Sequence, residues 1–180
     1  QRAGRGFARA DGEPRGSGAQ GRTQLEAACT VRKIDQAWVY DSDHKRAETF
    51  VSELAGVIPI PRDIRIAKTS EEAIHGADII CTATTSMSPV FDDGKLKPGV
   101  HISAIGSYTP EMQEIPSETV SRARIVVDSL SATLAETGDL VIPIRSGLIK
   151  TEDINTELGE IVLGRKPGRK SSDGITLFKS

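Results

Sequence analysis

The amino-acid sequence predicts a doubly wound α/β domain, in which parallel strands alternate with helices. Segments with strand periodicity and helix periodicity alternate along most of the chain. One of them, residues 77–84, has an apolar centre that is typical of a strand buried on both faces, as in parallel sheets. In addition, Gly16, Gly18 and Gly21 have the G-x-G-x-x-G spacing of the turn that opens many such folds.

The predicted elements follow in a regular order. Helices are expected over residues 20–30, 44–54, 70–74, 130–136 and 154–163, and strands over 37–40, 64–67, 77–84, 101–106, 125–128 and 175–178. Asp43 and Ser70 are suited to cap the second and third helices, and Gly76 is suited to end the third. Residues 10–15 contain no apolar run, so the sequence shows no clear first strand before the glycine turn.

The composition argues against several classes of protein. The 23 basic and 25 acidic residues nearly balance, so no charge excess indicates nucleic acid or an anionic membrane as a partner. No apolar stretch of the sequence is long enough for a membrane span. Cys29 and Cys81 lie in apolar surroundings and are expected to be buried, reduced thiols. The three histidines lack the spacing of metal ligands, and we expect a cytoplasmic protein without a metal site.

The glycine turn and a later aspartate together indicate a dinucleotide-binding site. The first glycine permits the tight turn, the second lets a pyrophosphate approach the backbone, and the third lets the helix pack on its strand. The N-terminus of that helix offers free N–H groups and a partial positive charge to phosphates. Asp41 lies about 20 residues after Gly21, where a carboxylate commonly accepts hydrogen bonds from a ribose hydroxyl.

Polar or small residues also follow several of the predicted strands. These segments are residues 18–20, Asp41, residues 82–86 and residues 106–109. Each of them is also compatible with a simple turn or helix cap. Because ligands of doubly wound folds bind outside the carboxyl ends of the strands, the four segments together predict one shared site.

Several runs of residues, found in a fixed order, form a distinctive set: 18–24, 76–80, 82–86, 101–110, 158–160, 164–169 and 175–180. Through them the sequence resembles the ornithine cyclodeaminase/mu-crystallin family over nearly everything after residue 16. The resemblance implies a Rossmann-type NAD(P)-binding domain joined to a substrate and dimerisation domain. It also implies that NAD or NADP is used for chemistry on amino acids or their imines.

The resemblance implies a role for individual residues as well. Ala19 and Gln20 would contact the pyrophosphate, and Asp41 would contact the adenosine ribose. Thr84 would line the cofactor cleft. Residues 105–108 would border the nicotinamide, and Ser180 would close over it. The expected cofactor-binding residues are therefore Gly16, Gly18, Ala19, Gln20, Asp41, Thr84, Ile105, Gly106, Ser107, Tyr108 and Ser180.

Two departures from the family pattern bear on the reaction. Cyclodeaminases of the family have Gly-Gly-Asp-x-Pro-Gly-Lys after this strand, whereas here Tyr108 replaces the acid/base aspartate and Met112 replaces the lysine. Cyclodeamination needs a carboxylate that moves protons, and an unperturbed tyrosine is a poor base at neutral pH. Imine reduction needs only a hydride and one proton, which water or Tyr108 could deliver. The sequence therefore favours the ketimine reductase, pyrroline-2-carboxylate reductase or alanine dehydrogenase branch, with ornithine cyclodeaminase as the alternative.

The expected cofactor is NAD, because the Asp41 carboxylate would repel the 2′-phosphate of NADP. Lys45 or Arg46 could soften that repulsion, so NADP is the alternative cofactor. The expected partner is a small amino or imino acid, and neither nucleic acid nor a membrane is expected. Members of the family form homodimers, although most of the dimerisation region is not expected within these residues.

We expect three parts in the chain. Residues 1–15 are predicted to be a flexible or degenerate segment, residues 16–150 the Rossmann-type domain, and residues 151–180 a helix, a basic loop and a strand that lead back to the substrate domain. Because most of the substrate domain is not expected here, we predict that these residues alone are inactive. A nucleotide- or hormone-binding module without turnover, and a degenerate fragment without function, are the alternatives.

Overall fold

The structure, a computed structural model, describes the backbone of residues 4–10 and 17–180 and the side chains of residues 20–180. Its strands are β1 (Gly4–Ala10), β2 (Ile34–Tyr40), β3 (Ile64–Ile66), β4 (Ile79–Ala83), β5 (His101–Ala104), β6 (Arg124–Val127) and β7 (Thr176–Lys179). Its helices are α1 (Ser17–Val31), α2 (His44–Leu54), α3 (Ser70–Ile74), α4 (Ser117–Arg122), α5 (Leu130–Glu136), α6 (Gly138–Arg145) and α7 (Leu158–Val162). Short 3-10 helices cover Asp93–Lys95 and Thr151–Asp153.

The described strands form one seven-stranded sheet in the order β3-β2-β1-β4-β5-β7-β6. All neighbouring strands run parallel. The order 3-2-1-4-5 is that of dinucleotide-binding folds, and the strand order reverses between β1 and β4. The predicted doubly wound α/β class is thus confirmed, with β7 inserted between β5 and β6.

The first strand corrects the sequence analysis, which found no clear strand ahead of the glycine turn. The structure places β1 over Gly4–Ala10, inside the segment expected to be flexible or degenerate and at the centre of the sheet. Ala8 lies opposite Val39 of β2 and opposite Cys81 of β4. Backbone pairing on both sides defines this strand, so a search for an apolar run missed it. Residues 1–3 and 11–16 lie outside the described residues.

The core consists of two apolar clusters, one on each face of the sheet. In the larger cluster Ile80, Ile102 and Leu177 lie side by side on β4, β5 and β7, and all three are fully buried. The smaller cluster joins α1 and α2 to the sheet and includes Cys29 and Cys81. Both cysteines are buried and free, as predicted, and burial raises the pKa of the Cys81 thiol to about 12.

The predicted helices are found, with local differences. Asp43 caps α2 as expected, and its carboxylate accepts a hydrogen bond of 3.0 Å from the Lys45 N–H. The cap of α3 is Thr69 rather than Ser70, because the Thr69 hydroxyl accepts from the N–H of Glu72 at 3.1 Å. Helices α4 and α6 were not predicted, and the expected helix over 154–163 shortens to α7. Within the described ranges, no helix has both the length and the apolar character needed to cross a bilayer.

Candidate functional site

The carboxyl ends of the strands meet at one edge of the sheet, and most predicted site residues lie there. Asp41 directly follows β2, Thr84 follows β4, Ile105 follows β5, and Ser180 follows β7. The edge has two parts, one on each side of the point between β1 and β4 where the strand order reverses. We call the part formed by β2 and the start of α2 the β2 side, and the part formed by residues 84–86, 105–108 and 180 the β5 side.

The glycine turn itself lies mostly outside the described residues. Gly16 belongs to the range 11–16 and has no described structure. Gly18, Ala19 and Gln20 lie in the first turn of α1, where backbone N–H groups have no partner within the helix. A helix N-terminus at the end of the central strand is the arrangement that binds phosphate in doubly wound folds.

On the β2 side, local contacts fix Asp41, the residue predicted to bind the ribose. The Asp41 side chain is 7% exposed, and its Oδ1 accepts a hydrogen bond of 2.8 Å from the N–H of Asp43. This contact and the cap of α2 by Asp43 fix the carboxylate between the strand and the helix. The sequence prediction therefore places Asp41 correctly at the carboxyl edge, and its contact with a ribose stays a prediction.

On the β5 side, the ends of β4 and β5 come unusually close together at Gly106. A Cβ atom on Gly106 would lie 2.1 Å from the Thr84 carbonyl oxygen and 2.6 Å from Glu114 Oε1. Neither distance is possible for a real side chain, so this position requires glycine. The Thr84 hydroxyl is buried and accepts from the Ser86 N–H at 3.1 Å, which shapes the turn after β4.

Ser107 turns its side chain into the protein. Its hydroxyl donates to the Met112 carbonyl oxygen at 2.7 Å, and it also accepts from the Thr137 hydroxyl at 3.1 Å. Ser107 is 1% exposed, so its hydroxyl holds the loop that follows β5. Tyr108, the next residue, is 60% exposed, and its part in proton transfer stays a prediction.

Ser180 is linked to the end of β6. Its hydroxyl donates to Asp128 Oδ2 at 2.9 Å. Burial alone would raise the pKa of Asp128, but hydrogen bonds from the Ser129 N–H and from the Ser180 and Thr133 hydroxyls outweigh it and hold that pKa below its ordinary value. An ionised Asp128 therefore orients Ser180, a contact that the sequence analysis did not identify.

Three buried charged residues also lie beside the β5 side, and the sequence analysis missed all of them. Glu114, Asp139 and Lys179 are each 0% exposed. Burial and the neighbouring Glu114 raise the pKa of Asp139 to about 7, and burial lowers the pKa of Lys179. In the sequence they stand far apart, so no local spacing could have grouped them.

A separate groove lies away from the predicted cofactor-binding residues. This groove, of about 1320 Å³, lies between α1 and α7 on one face of the sheet, lined among others by Gln24, Ser103 and Ile161. Of the predicted cofactor-binding residues from Gln20 onward, none lines it. A search of the described residues finds no group of three His, Cys, Asp or Glu side chains placed to hold a metal ion.

Comparison with known proteins matches this architecture to one family. The family model described as "Ornithine cyclodeaminase/mu-crystallin family" matches residues 15–180. The chain belongs to this family. The resemblance inferred from the sequence is thereby confirmed, including its placement near the reductase and dehydrogenase members.

Comparison with individual members of the family shows what share of their length the chain matches. A Delta(1)-pyrroline-2-carboxylate reductase of Bacillus cereus is 42% identical over 166 residues, which are 92% of this chain and 50% of that protein. The ketimine reductase mu-crystallin of Rattus norvegicus is 33% identical over 92% of this chain and 48% of its own length. The chain thus spans about half the length of the curated relatives it matches.

A solved structure extends the match over nearly the whole fold. The Thermococcus litoralis Delta(1)-pyrroline-2-carboxylate reductase, solved in complex with NADH and L-proline, superimposes with a TM-score of 0.90. The two sequences are 38% identical, and the match covers 99% of this chain and 53% of that one. The carboxyl edge described above thus belongs to a fold that also occurs in an NADH-bound reductase.

Proposed function

We propose that the chain is the NAD(P)-binding domain of an oxidoreductase that reduces the C=N bond of a small cyclic imino acid or oxidises the corresponding amino acid. The observation that supports this most strongly is the likeness, at a TM-score of 0.90 and 38% identity, to a reductase solved with NADH and L-proline. The parallel sheet, its reversal between β1 and β4, and the polar carboxyl edge agree with it.

The residues of the edge fit such a cofactor. The first turn of α1 offers N–H donors to a pyrophosphate, and the Asp41 carboxylate can accept from ribose hydroxyls. Gly106, which tolerates no side chain, lets the loop after β5 pack directly against the backbone of Thr84 at the end of β4. We propose NAD as the preferred cofactor, because a 2′-phosphate would stand against Asp41.

Reduced NAD(P), when held by the residues of this edge, would supply the hydride that reduces the carbon of the imine. The imine nitrogen then needs one proton, and we propose that the exposed Tyr108 hydroxyl or water delivers it. Cyclodeamination is disfavoured, since Tyr108 stands at the acid/base position where the cyclodeaminases of the family have an aspartate. The substrate class proposed is therefore a small imino or amino acid.

A binding experiment tests the cofactor assignment directly. The only tryptophan, Trp38, lies in β2, and energy transfer from it to bound NADH reports binding to the chain. The substitution Asp41→Ala should weaken NADH binding by about tenfold or more, the size expected for a lost charged hydrogen-bond partner. The control is Asp35→Ala, at the exposed opposite end of the same strand, which should leave the affinity unchanged.

A second experiment tests the reaction. The 166 matched residues of the Bacillus cereus reductase can be replaced by those of this chain, and NADH oxidation measured with Delta(1)-pyrroline-2-carboxylate. We expect turnover that falls when Tyr108→Phe is introduced. A chimera that folds and binds NADH but reduces no cyclic imine would contradict the proposed reaction.

A further inference from the structure

The cluster of Glu114, Asp139 and Lys179, which we call the buried triad, has no part in the function proposed above. All three side chains are 0% exposed and lie below the β5 side of the carboxyl edge. Burying charges is costly unless they are paired and hydrogen-bonded, and apolar residues of similar volume often serve stability equally well. Stability alone is therefore a poor explanation for three charges at this place.

Glu114 joins the ends of β4 and β5. Its Oε1 accepts from the Thr84 N–H at 2.6 Å, and its Oε2 accepts from the Gly106 N–H at 2.7 Å and from the Thr82 hydroxyl at 2.9 Å. One carboxylate thus fixes the distance between the turn after β4 and the loop after β5. These are the two segments that form most of the β5 side.

Asp139 and Lys179 fix backbone segments next to Glu114 and at the ends of β5 and β7. Asp139 Oδ1 accepts from the N–H groups of Glu114 and Ile115 at 2.7 and 2.9 Å, which anchors the backbone of Glu114 itself. Lys179 donates to the carbonyl oxygens of Ala104, at 3.2 Å, and of Ser180. The triad therefore contacts the ends of β4, β5 and β7, all of which border the β5 side.

We propose that Glu114, supported by Asp139 and Lys179, is a positioning residue for the nicotinamide half of the cofactor. The inference rests on the proposed function. In doubly wound folds each half of the sheet binds one mononucleotide, so the β2 side takes the adenosine half and the β5 side takes the nicotinamide half. Glu114 touches neither half and acts through the backbone at Thr84 and Gly106.

The test compares two ligands that differ only on one side of the site. NADH occupies both sides, whereas ADP-ribose lacks the nicotinamide ring and occupies the β2 side with its adenosine. The substitution Glu114→Gln keeps the size of the side chain, but its amide nitrogen cannot accept the hydrogen bonds that the carboxylate accepts. We expect NADH affinity to fall at least tenfold and ADP-ribose affinity to stay within twofold, measured by calorimetry on the chain.

A matched control separates positioning from general loss of stability. Ile74→Ala removes a fully buried side chain just before the opposite, amino end of β4. It should lower the unfolding midpoint without changing the ratio of the two affinities. If Glu114→Gln weakens both ligands equally, or neither, the inference is wrong and Glu114 is purely structural.

Two further results keep the outcomes distinct. If Glu114→Gln does not unfold cooperatively, Thr82→Val replaces it in the test, because it removes one hydrogen-bond donor to Glu114. Thr82→Val should lower NADH affinity by about threefold, the order of magnitude of one hydrogen bond, and leave ADP-ribose affinity unchanged. Equal affinities of Thr82→Val and the unsubstituted chain would then overturn the inference. If the unsubstituted chain binds neither ligand, the proposed function fails, independently of the triad.

Discussion

The two sides of the carboxyl edge are built in different ways. On the β2 side, the N–H of Asp43 donates to Asp41 and the N–H of Lys45 donates to Asp43, and both of these contacts join residues two positions apart. On the β5 side, Glu114 contacts residues 30 and 32 positions away, and Ser180 contacts a residue 52 positions away. The first side is organised by local turns, whereas the second depends on the completed sheet. The two sides should therefore respond very differently to substitution.

The largest expected effect comes from removing the positive charge of the triad. Lys179→Met removes a buried ammonium that donates to the carbonyl oxygens of Ala104 and Ser180 and attracts the buried Asp139 and Glu114. Removing one member of a buried set of charges costs about 3–5 kcal/mol. Chemical denaturation should show this loss. Lys97→Met is the control, because its partner Asp78 is partly exposed and such pairs contribute about 0–1 kcal/mol. Equal losses for both variants would show that the triad is not tightly packed.

Asp139 should make stability depend on pH. Its folded pKa, about 7, lies above its ordinary value of 3.8, so the folded chain binds this proton more tightly than the unfolded chain. The stabilising contribution is full below about pH 4 and is lost as the pH rises through 7.

The variant Asp139→Asn isolates this contribution, since an amide cannot ionise. The unfolding free energy of the variant, relative to the unsubstituted chain, should rise between pH 5 and pH 8. His101, whose pKa burial lowers, titrates in both proteins and cancels in this difference. A difference that stays constant over the range would contradict the prediction.

Gly106 offers a steric test of the β5 side. Gly106→Ala places a Cβ atom 2.1 Å from a backbone oxygen that cannot move without shifting β4. We expect a loss of about 1–3 kcal/mol, as for other overpacked sites, together with weaker NADH binding. Gly159→Ala in α7 meets nothing within 4 Å, and it should be neutral or slightly stabilising.

The smallest effect is expected on the β2 side. Asp43→Ala removes the cap of α2, and lost caps cost about 1 kcal/mol. Because the contact is local, the substitution should lower the midpoint of thermal unfolding only slightly. This decrease should be the same whether or not the triad is mutated. A strong coupling between Asp43 and Glu114 in a double-mutant cycle would show that the two sides are not independent.

This difference also explains which features the sequence could predict. The alternation of elements, Asp41 and the Asp43 cap follow from local patterns, and the structure places them as expected. Glu114 and Asp139 could not be assigned, since an isolated charged residue in a sequence is normally a solvated one. Both are buried only in the completed fold, where Asp139 of α6 meets the backbone of Glu114 and Glu114 meets Thr84 and Gly106. Strand β1 was missed for the same reason, since its neighbours come from residues 34–40 and 79–83.

The position of β7 has a consequence for synthesis on the ribosome. β7 follows β6 in the sequence, yet in the described sheet it lies between β5 and β6 and pairs with both. Until residue 176 has left the exit tunnel, the edges of β5 and β6 that pair with β7 in the described sheet lack this partner. Unpaired strand edges promote aggregation, so the nascent chain is prone to aggregate until β7 pairs with β5 and β6.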